Sequence, residues 1–374
     1  MALTIATASR DDLESALRLD FRSDTITQPT AAMRQAMAEA AVGDDVFGED
    51  PSINELEAEA ARIFHKDAGL FVASGTQGNL LAILSLTQPG DEVIAEVSSH
   101  IANAEVGGAA RLGGLTVRPV VGSGGKIQPQ QVAATVRPEN VHYAHTRLLA
   151  IENTHNASGG TVLSLAELGA LLEVAQAHGL RVHVDGARIF NAAVALGCAP
   201  VELGRGADTL TFCLSKGLSA PVGSLLVGSR ATIDQARRYR KMVGGGMRQA
   251  GVLAPAGLLA LRDGVDRLRE DHRRARRLAD GLAGIAGVAI DLDSVQSNIV
   301  RFDVAGMGHT TASFAAALQP AGVRVTGGAG VGGVRMVAHR HIDDESVDQA
   351  LERIGAVAAA SGSSAHRDQR RLYG

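Results

Sequence analysis

The chain has 374 residues, 45% of them hydrophobic and 20% charged, with a formal net charge of −4. That length and apolar content suit one large domain with a smaller companion, while the near-neutral balance leaves no footprint for nucleic acid and no run of 18 apolar residues offers a membrane span. With no tryptophan and 3% aromatics there is no stacking platform for bases, and two cysteines, Cys198 and Cys213, cannot build a disulfide framework.

Residues 1–20 read as an appended arm with a short helix over 11–19. They lack the basic start and long apolar stretch of a secretory signal, so a cytoplasmic location with reduced, packed thiols is expected. Beyond the arm, apolar strand-like runs alternate with helix-length periodic segments, which predicts an α/β fold with a mostly parallel sheet covered on both faces. Phe71-Val-Ala-Ser-Gly-Thr-Gln-Gly-Asn79 runs from a strand into the helix of Leu80-Leu-Ala-Ile-Leu-Ser-Leu86. Gly75 and Thr76 there leave backbone N–H groups and a hydroxyl at a helix N-terminus, where a phosphate monoester binds well; a plain cap is the alternative.

Leu148-Leu-Ala-Ile151 reads as the next legible strand. Ser164-Leu-Ala-Glu167 is a capping box opening a helix with Leu165, Leu168, Leu171, Leu172 and Ala175 on one face; Gly179 stops it before the strand Arg181-Val-His-Val184. Such a βαβ unit puts Glu152-Asn-Thr-His155, Asp185 and Lys216 outside the carboxyl ends of strands, where open α/β sheets bind ligands. Val182-His-Val-Asp-Gly-Ala-Arg188 ends one strand in an acid, and Thr209-Leu-Thr-Phe-Cys-Leu-Ser-Lys-Gly217 ends another in a lysine. A primary amine can condense with an aldehyde, and a carboxylate beside it can keep a pyridine nitrogen protonated. Lys216 and Asp185, with a phosphate cradle upstream, therefore point to pyridoxal 5'-phosphate. Arg188 is placed to meet the ring oxygen or a substrate carboxylate, an ion pair with Asp185 being the alternative.

Ser224-Leu-Leu-Val-Gly228 is a further strand, followed by a cationic stretch from Arg237 to Arg248. A long helix then carries Leu261, Val265, Leu268, Ala275, Ala279 and Leu282 at helical spacing and bridges to a second domain, with the boundary near residue 267. Strands over 297–302, 322–326 and 334–337 and a helix over 311–318 make a small α+β domain. The polar tail 361–374 is expected to be disordered. Gly328-Ala-Gly-Val-Gly-Gly333 matches G-x-G-x-x-G by spacing, but it leads into a strand, which argues against a dinucleotide site. His339-Arg-His341 and His142-Tyr-Ala-His145 lack the further ligands of a zinc centre, and no metal is expected.

Eight blocks together resemble one family over about residues 20–355. They are Phe21-Arg-Ser-Asp-Thr-Ile-Thr27, Val42-Gly-Asp-Asp-Val-Phe-Gly-Glu-Asp-Pro51, Ser74-Gly-Thr-Gln-Gly-Asn79, Ile151-Glu-Asn-Thr-His-Asn156, His183-Val-Asp-Gly-Ala-Arg-Ile-Phe-Asn191, Cys213-Leu-Ser-Lys-Gly-Leu218, Lys241-Met-Val-Gly-Gly-Gly-Met-Arg-Gln249 and Arg335-Met-Val-Ala-His339. The family is that of the low-specificity L-threonine aldolases, pyridoxal phosphate enzymes of the aspartate-aminotransferase fold (fold type I). The resemblance implies a large domain over 21–267 with a mostly parallel seven-stranded sheet flanked by helices, and a smaller C-terminal α+β domain over 268–360.

It implies Lys216 as the Schiff-base lysine, Asp185 as the pyridine-nitrogen partner, and Ser74, Gly75, Thr76 and Arg248 as the phosphate site. Arg248 would come from a neighbouring subunit of a homodimer that pairs into a tetramer. His100 would stack on the cofactor ring; Ser23, Arg188 and Arg335 would hold the substrate carboxylate; His100 and His142, with an ordered water, would serve the β-hydroxyl. The implied reaction cleaves L-threonine, L-allo-threonine and related L-β-hydroxy amino acids to glycine and an aldehyde. Phe47, at the substrate side, stands where a tyrosine is common, and Ile101-Ala-Asn-Ala104 is smaller than the family's usual residues. Both changes suggest a roomier pocket for aryl β-substituents. His145 replaces a frequent arginine, and residues 327–333 lengthen the approach to Arg335. An aminotransferase would carry an arginine soon after the lysine, which Gly217-Leu-Ser-Ala-Pro-Val-Gly223 lacks. Serine hydroxymethyltransferases place threonines and a histidine before it, where this chain has Phe212-Cys-Leu-Ser215. A non-catalytic scaffold would have no use for so coherent a site.

Overall fold

The computed structural model describes residues 17–327 and 333–372, with residues 361–372 in backbone only. Most of the expected N-terminal helix and all but the last glycine of the G-x-G-x-x-G stretch lie outside the described residues. The chain divides into two compact units: Gln28–Arg269, and the described residues up to Thr27 together with those from Glu270 onward.

The first unit is built on seven strands, β1 (Ala68–Val72), β2 (Glu92–Glu96), β3 (Thr116–Val120), β4 (Thr146–Glu152), β5 (Arg181–Asp185), β6 (Thr209–Cys213) and β7 (Ser224–Gly228). Their order is β1-β7-β6-β5-β4-β2-β3. Only β7 runs antiparallel to its neighbours, and β2 to β6 pair in parallel. The expected seven-stranded, mostly parallel sheet is therefore present. β1, β2, β6 and β7 are buried at every position, the pattern of strands covered on both faces. Along β4 the side chains alternate between two cores: Leu149 and Ile151 join a cluster with Phe64, Phe190 and Phe212, while Leu148 and Ala150 join Ile83 and Val93. The three phenylalanine rings lie 5.3–5.9 Å apart in tilted and edge-on contacts, geometry that favours their quadrupoles.

The connecting helix Leu165–Ala177 begins as the sequence predicts. Ser164 Oγ accepts the Glu167 N–H and Glu167 Oε2 accepts the Ser164 N–H, and Gly179 follows at φ 65°. Leu168, Leu171 and Ala175 are buried, but Leu165 is 39% exposed. As the first helical residue it precedes the point where the buried face begins.

In the second unit, β8 (Ile299–Phe302) pairs antiparallel with β9 (Val334–Val337), and the helix Thr311–Leu318 stands where it is expected. Residues 322–326 do not form a ladder. Their bonds split between two partners, Arg324 bridging to Asp20 and Thr326 to Arg335. Phe21 is buried in this unit's core beside Ala275, Phe302 and Phe314; its N–H donates to Arg324 O and its carbonyl accepts from Val337 N–H, both at 2.8 Å. Residues 20–27 thus group with the C-terminal unit, whereas the resemblance implies a large domain that starts at residue 21. The helix Ala254–Ala283 runs across the division; Leu261 and Leu268 serve the first core and Ala275, Ala279 and Leu282 the second. The last helix, Asp344–Leu372, continues in backbone through most of the tail expected to lack order. Among the described residues no helix is long and apolar enough to cross a membrane.

Candidate active site at the carboxyl edge of the sheet

Glu152 and Asp185 end β4 and β5 side by side, in register with Thr211, two residues before β6 ends at Cys213. The segment that leaves β6 carries Lys216, half-buried, in a turn closed by the Ser219 N–H donating to Lys216 O at 2.8 Å. Ser219 itself is buried at φ 68°. On the other side, β1 leads into the helix Gly75–Leu86, capped by Ser74 Oγ accepting the Gln77 N–H at 3.2 Å. Gly75 and Thr76 then carry the first amides of the helix, which have no intrahelical acceptor and sit at the positive end of its dipole. A Cβ on Gly75 would lie 2.9 Å from Cys213 Sγ, so any larger residue there would have to displace the Cys213 side chain as the helix starts close against the end of β6.

Asp185 is 2% exposed. Its Oδ2 accepts from Asn79 Nδ2 at 2.8 Å and its Oδ1 from the Ala187 N–H at 3.1 Å. A carboxylate oxygen has a second lone pair, so each can take one more donor. An anion cradle at a helix start, a buried carboxylate able to meet a pyridinium N–H, and an amine on the adjoining strand end fit pyridoxal phosphate.

His100 opens a short helix after β2. Its Nδ1 lies 2.7 Å from Glu105 Oε1, and its backbone N–H donates to Glu152 Oε2 at 2.6 Å. The hydrogen bond to Glu105 raises the His100 pKa above its ordinary value against the opposing effect of burial, with the charges of Asp185, Glu105 and Glu152 adding to the rise. Burial likewise pushes Glu105 and Glu152 upward. With Nδ1 committed to Glu105, proton exchange with a substrate falls to Nε2.

Arg188 is buried, and its Nη1 donates to Asn156 Oδ1 at 3.2 Å. The Asn156 backbone N–H in turn donates to Glu152 Oε1 at 2.8 Å. One buried carboxylate thus holds both the segment that bears His100 and the segment that supports Arg188. Asn79, Glu105, Glu152, Asn156 and His183 are site residues that carry no role in the sequence reading. Asn79, Glu152, Asn156 and His183 all lie inside the blocks quoted above, and Glu105 follows His100 by five positions, just past the end of its short helix at Asn103.

The remaining expected residues fall elsewhere. Ser23 and Arg335 lie in the other unit, where Arg335 Nη1 donates to the carbonyl of Arg22 at 3.1 Å and Ser23 Oγ caps the short helix Asp24–Ile26. Phe47 is 73% exposed. The Arg248 guanidinium lies 5.9 Å from its ring centroid and bonds Asp44 Oδ2 at 2.9 Å. His142 is exposed in the loop just before β4, whose far end reaches Glu152 only after six residue steps, about 20 Å of strand. Within one subunit it stands at the opposite edge of the sheet from His100.

The family model for beta-eliminating lyases matches residues 20–305. The chain is 48% identical over 265 residues to the low specificity L-threonine aldolase of Escherichia coli strain K12, covering 71% of this chain and 79% of that protein. It is 40% identical over 338 residues to low-specificity L-threonine aldolase 1 of Arabidopsis thaliana, covering 89% and 94%. Among solved structures, the threonine aldolase of Leishmania major superposes with a TM-score of 0.77 at 20% identity, over 91% of this chain and 99% of its own. An aspartate aminotransferase of Thermus thermophilus reaches 0.69 at 20% identity, over 93% and 95%. These structural likenesses establish the fold.

Proposed function

Since the chain belongs to the beta-eliminating lyase family and, within it, to the low-specificity L-threonine aldolases, we propose that the carboxyl edge of its sheet holds pyridoxal phosphate and cleaves L-threonine, L-allo-threonine and related L-β-hydroxy amino acids to glycine and an aldehyde. The observation that carries this reading is the placing of Asp185 and the Lys216 segment on adjoining strand ends, beside a helix start packed closely at Gly75.

Lys216 would hold the cofactor through its amine, Asp185 through the ring nitrogen, and Ser74, Gly75 and Thr76 through the phosphate, with His100 against the ring. Bound there, pyridoxal phosphate supplies an electron sink for the pair released from the Cα–Cβ bond. Arg188, held by Asn156, would anchor the substrate carboxylate and so restrict the orientation of the bond to be broken. His100 takes the β-hydroxyl proton at Nε2 as the hydroxyl becomes the aldehyde carbonyl, while Nδ1 keeps its bond to Glu105. The reaction therefore needs His100 unprotonated at Nε2, and its rate rises with pH through the raised pKa of that imidazole.

Arg248 and His142 serve from a neighbouring subunit of a homo-oligomer in this reading. Exposed Phe47, Val42, Met242 and Val252 are the apolar surface that such an assembly would cover. The assay that tests the function measures glycine and aldehyde released from L-threonine, L-allo-threonine and L-phenylserine. All three are expected to yield glycine with one aldehyde each, phenylserine fastest because residues 101–104 are small. No aldehyde from any of them would overturn the assignment, and a strong preference for threonine would overturn the roomier pocket.

A further inference from the structure

The side chains around Asp185 form one hydrogen-bonded chain whose proton positions can be worked out. Asn79 is 1% exposed. Its Nδ2 lies 2.8 Å from both Glu105 Oε1 and Asp185 Oδ2, and its Oδ1 lies 3.0 Å from His183 Nε2. Two carboxylates can only accept, so the amide nitrogen must face them and the amide oxygen must face His183. His183 consequently donates from Nε2, and its Nδ1, 2.9 Å from Thr209 Oγ1, accepts that hydroxyl proton. The buried imidazole is held neutral, since burial lowers its pKa to about 4. At the other end, Glu105 Oε1 meets His100 Nδ1 at 2.7 Å.

We propose, building on the cofactor reading above, that Asn79 and Glu105 are positioning residues for the aldol cleavage: the Asn79 amide bridges the carboxylates of Asp185 and Glu105, and Glu105 passes the charge of that pair to His100. The acceptor and donor atoms of His100, Glu105 and Asp185 lie within 4.8 Å of one another. Two carboxylates that close repel one another. The two N–H bonds of a single amide give each of them a donor and offset that repulsion. The acid that faces the ring nitrogen and the acid that orients the catalytic imidazole are thereby tied together, and a change of charge at one is felt at the other.

The charged and titratable groups facing His100 are Glu105, Asp185 and Glu152; those facing Glu105 are His100 and Asp185. Removing the Glu105 charge takes away the carboxylate that His100 donates to, so the His100 pKa should fall. Removing the Asn79 donors leaves the same carboxylates less neutralised, so it should rise. Opposite shifts of one imidazole are a signature that a packing role cannot produce.

The test titrates the His100 ring by NMR in 13C-histidine-labelled holoenzyme, its resonance among the 12 histidines identified by its loss in His100→Asn. Glu105→Gln is expected to lower the His100 pKa by about 1 unit or more and Asn79→Leu to raise it by about 1 unit, with the acid limb of the kcat profile moving alongside. An unmoved or lowered His100 in Asn79→Leu would overturn the coupling. Should Asn79→Leu not fold, Asn79→Ser, which keeps one donor, is expected to give a smaller rise, and no rise in that folded variant would also overturn it. The cofactor absorbance band is recorded on the same samples. A wild type without the band sinks both readings, and a wild type with the band but no opposite shifts sinks the coupling alone.

Discussion

The two edges of the seven-stranded sheet are both rich in carboxylates, yet they treat them differently. At the amino edge three acids meet arginines: Glu92 with Arg137 at 2.9 Å and Arg118 at 3.5 Å, Asp91 with Arg147 at 3.7 Å, and Asp208 with Arg181 at 2.8 Å. At the carboxyl edge Glu96 faces His155 at 3.0 Å, Glu105 faces His100, Glu152 takes backbone N–H groups, and Asp185 takes an amide. Arginine is charged at every physiological pH, so its partners are locked. An imidazole carries a proton that can move near neutral pH, while amides and backbone donors hold a carboxylate without adding a charge, and the edge that uses them is the one where strands of an open α/β sheet deliver ligands.

That contrast is broken most severely at Asp185. Asp185→Asn keeps the shape and removes the charge, and it is expected to lower kcat/KM by on the order of 10²–10³-fold in protein that still folds. Steady-state kinetics on the folded variant decide it, and a change within experimental scatter would reduce Asp185 to a structural acid.

The next effect is on stability. Because burial holds His183 near pKa 4, well below the 6.5 of an exposed imidazole, the folded chain binds this proton less readily than the unfolded one. The stability tied to it is present above pH 6.5 and is lost as pH falls toward 4, about 3 kcal/mol in all. Denaturant unfolding at pH 7.5 and 4.5 should show wild type losing more than His183→Gln by roughly 2 kcal/mol; equal losses would contradict a buried neutral His183.

The smallest change is expected at the amino edge. Arg181→Met removes the partner of Asp208 from an exposed ion pair, and it should cost under about 1 kcal/mol with kcat/KM unchanged. An Arg181→Met that cripples turnover would erase the distinction between the two edges.

The parts of this division legible in the sequence were local. Lys216, Asp185 and Gly75 each announce themselves at the end of a short apolar run, because a strand end and a helix start are set by neighbours in sequence. Asn79 is bonded to Asp185 across 106 positions and to Glu105 across 26, and only the pairing of distant strands brings them together. Glu152 was visible as a strand-end acid, but the two backbone donors it accepts come from segments on either side of it in space. Leu165 followed the helical period and still faces solvent, since the phase of a helix does not show where its buried face begins. Residues 20–27 carry the strand-like Phe21, whose partners Arg324 and Val337 lie some 300 positions away, so no local pattern could assign it to the second unit.

The most direct test of the account is the absorbance spectrum of purified protein with pyridoxal phosphate, recorded for wild type and for Lys216→Ala. The account predicts a yellow Schiff-base band in wild type that borohydride reduction fixes on Lys216, and its loss together with L-threonine cleavage in Lys216→Ala. A wild type that stays colourless, or a Lys216→Ala variant that keeps both the band and the activity, would contradict it.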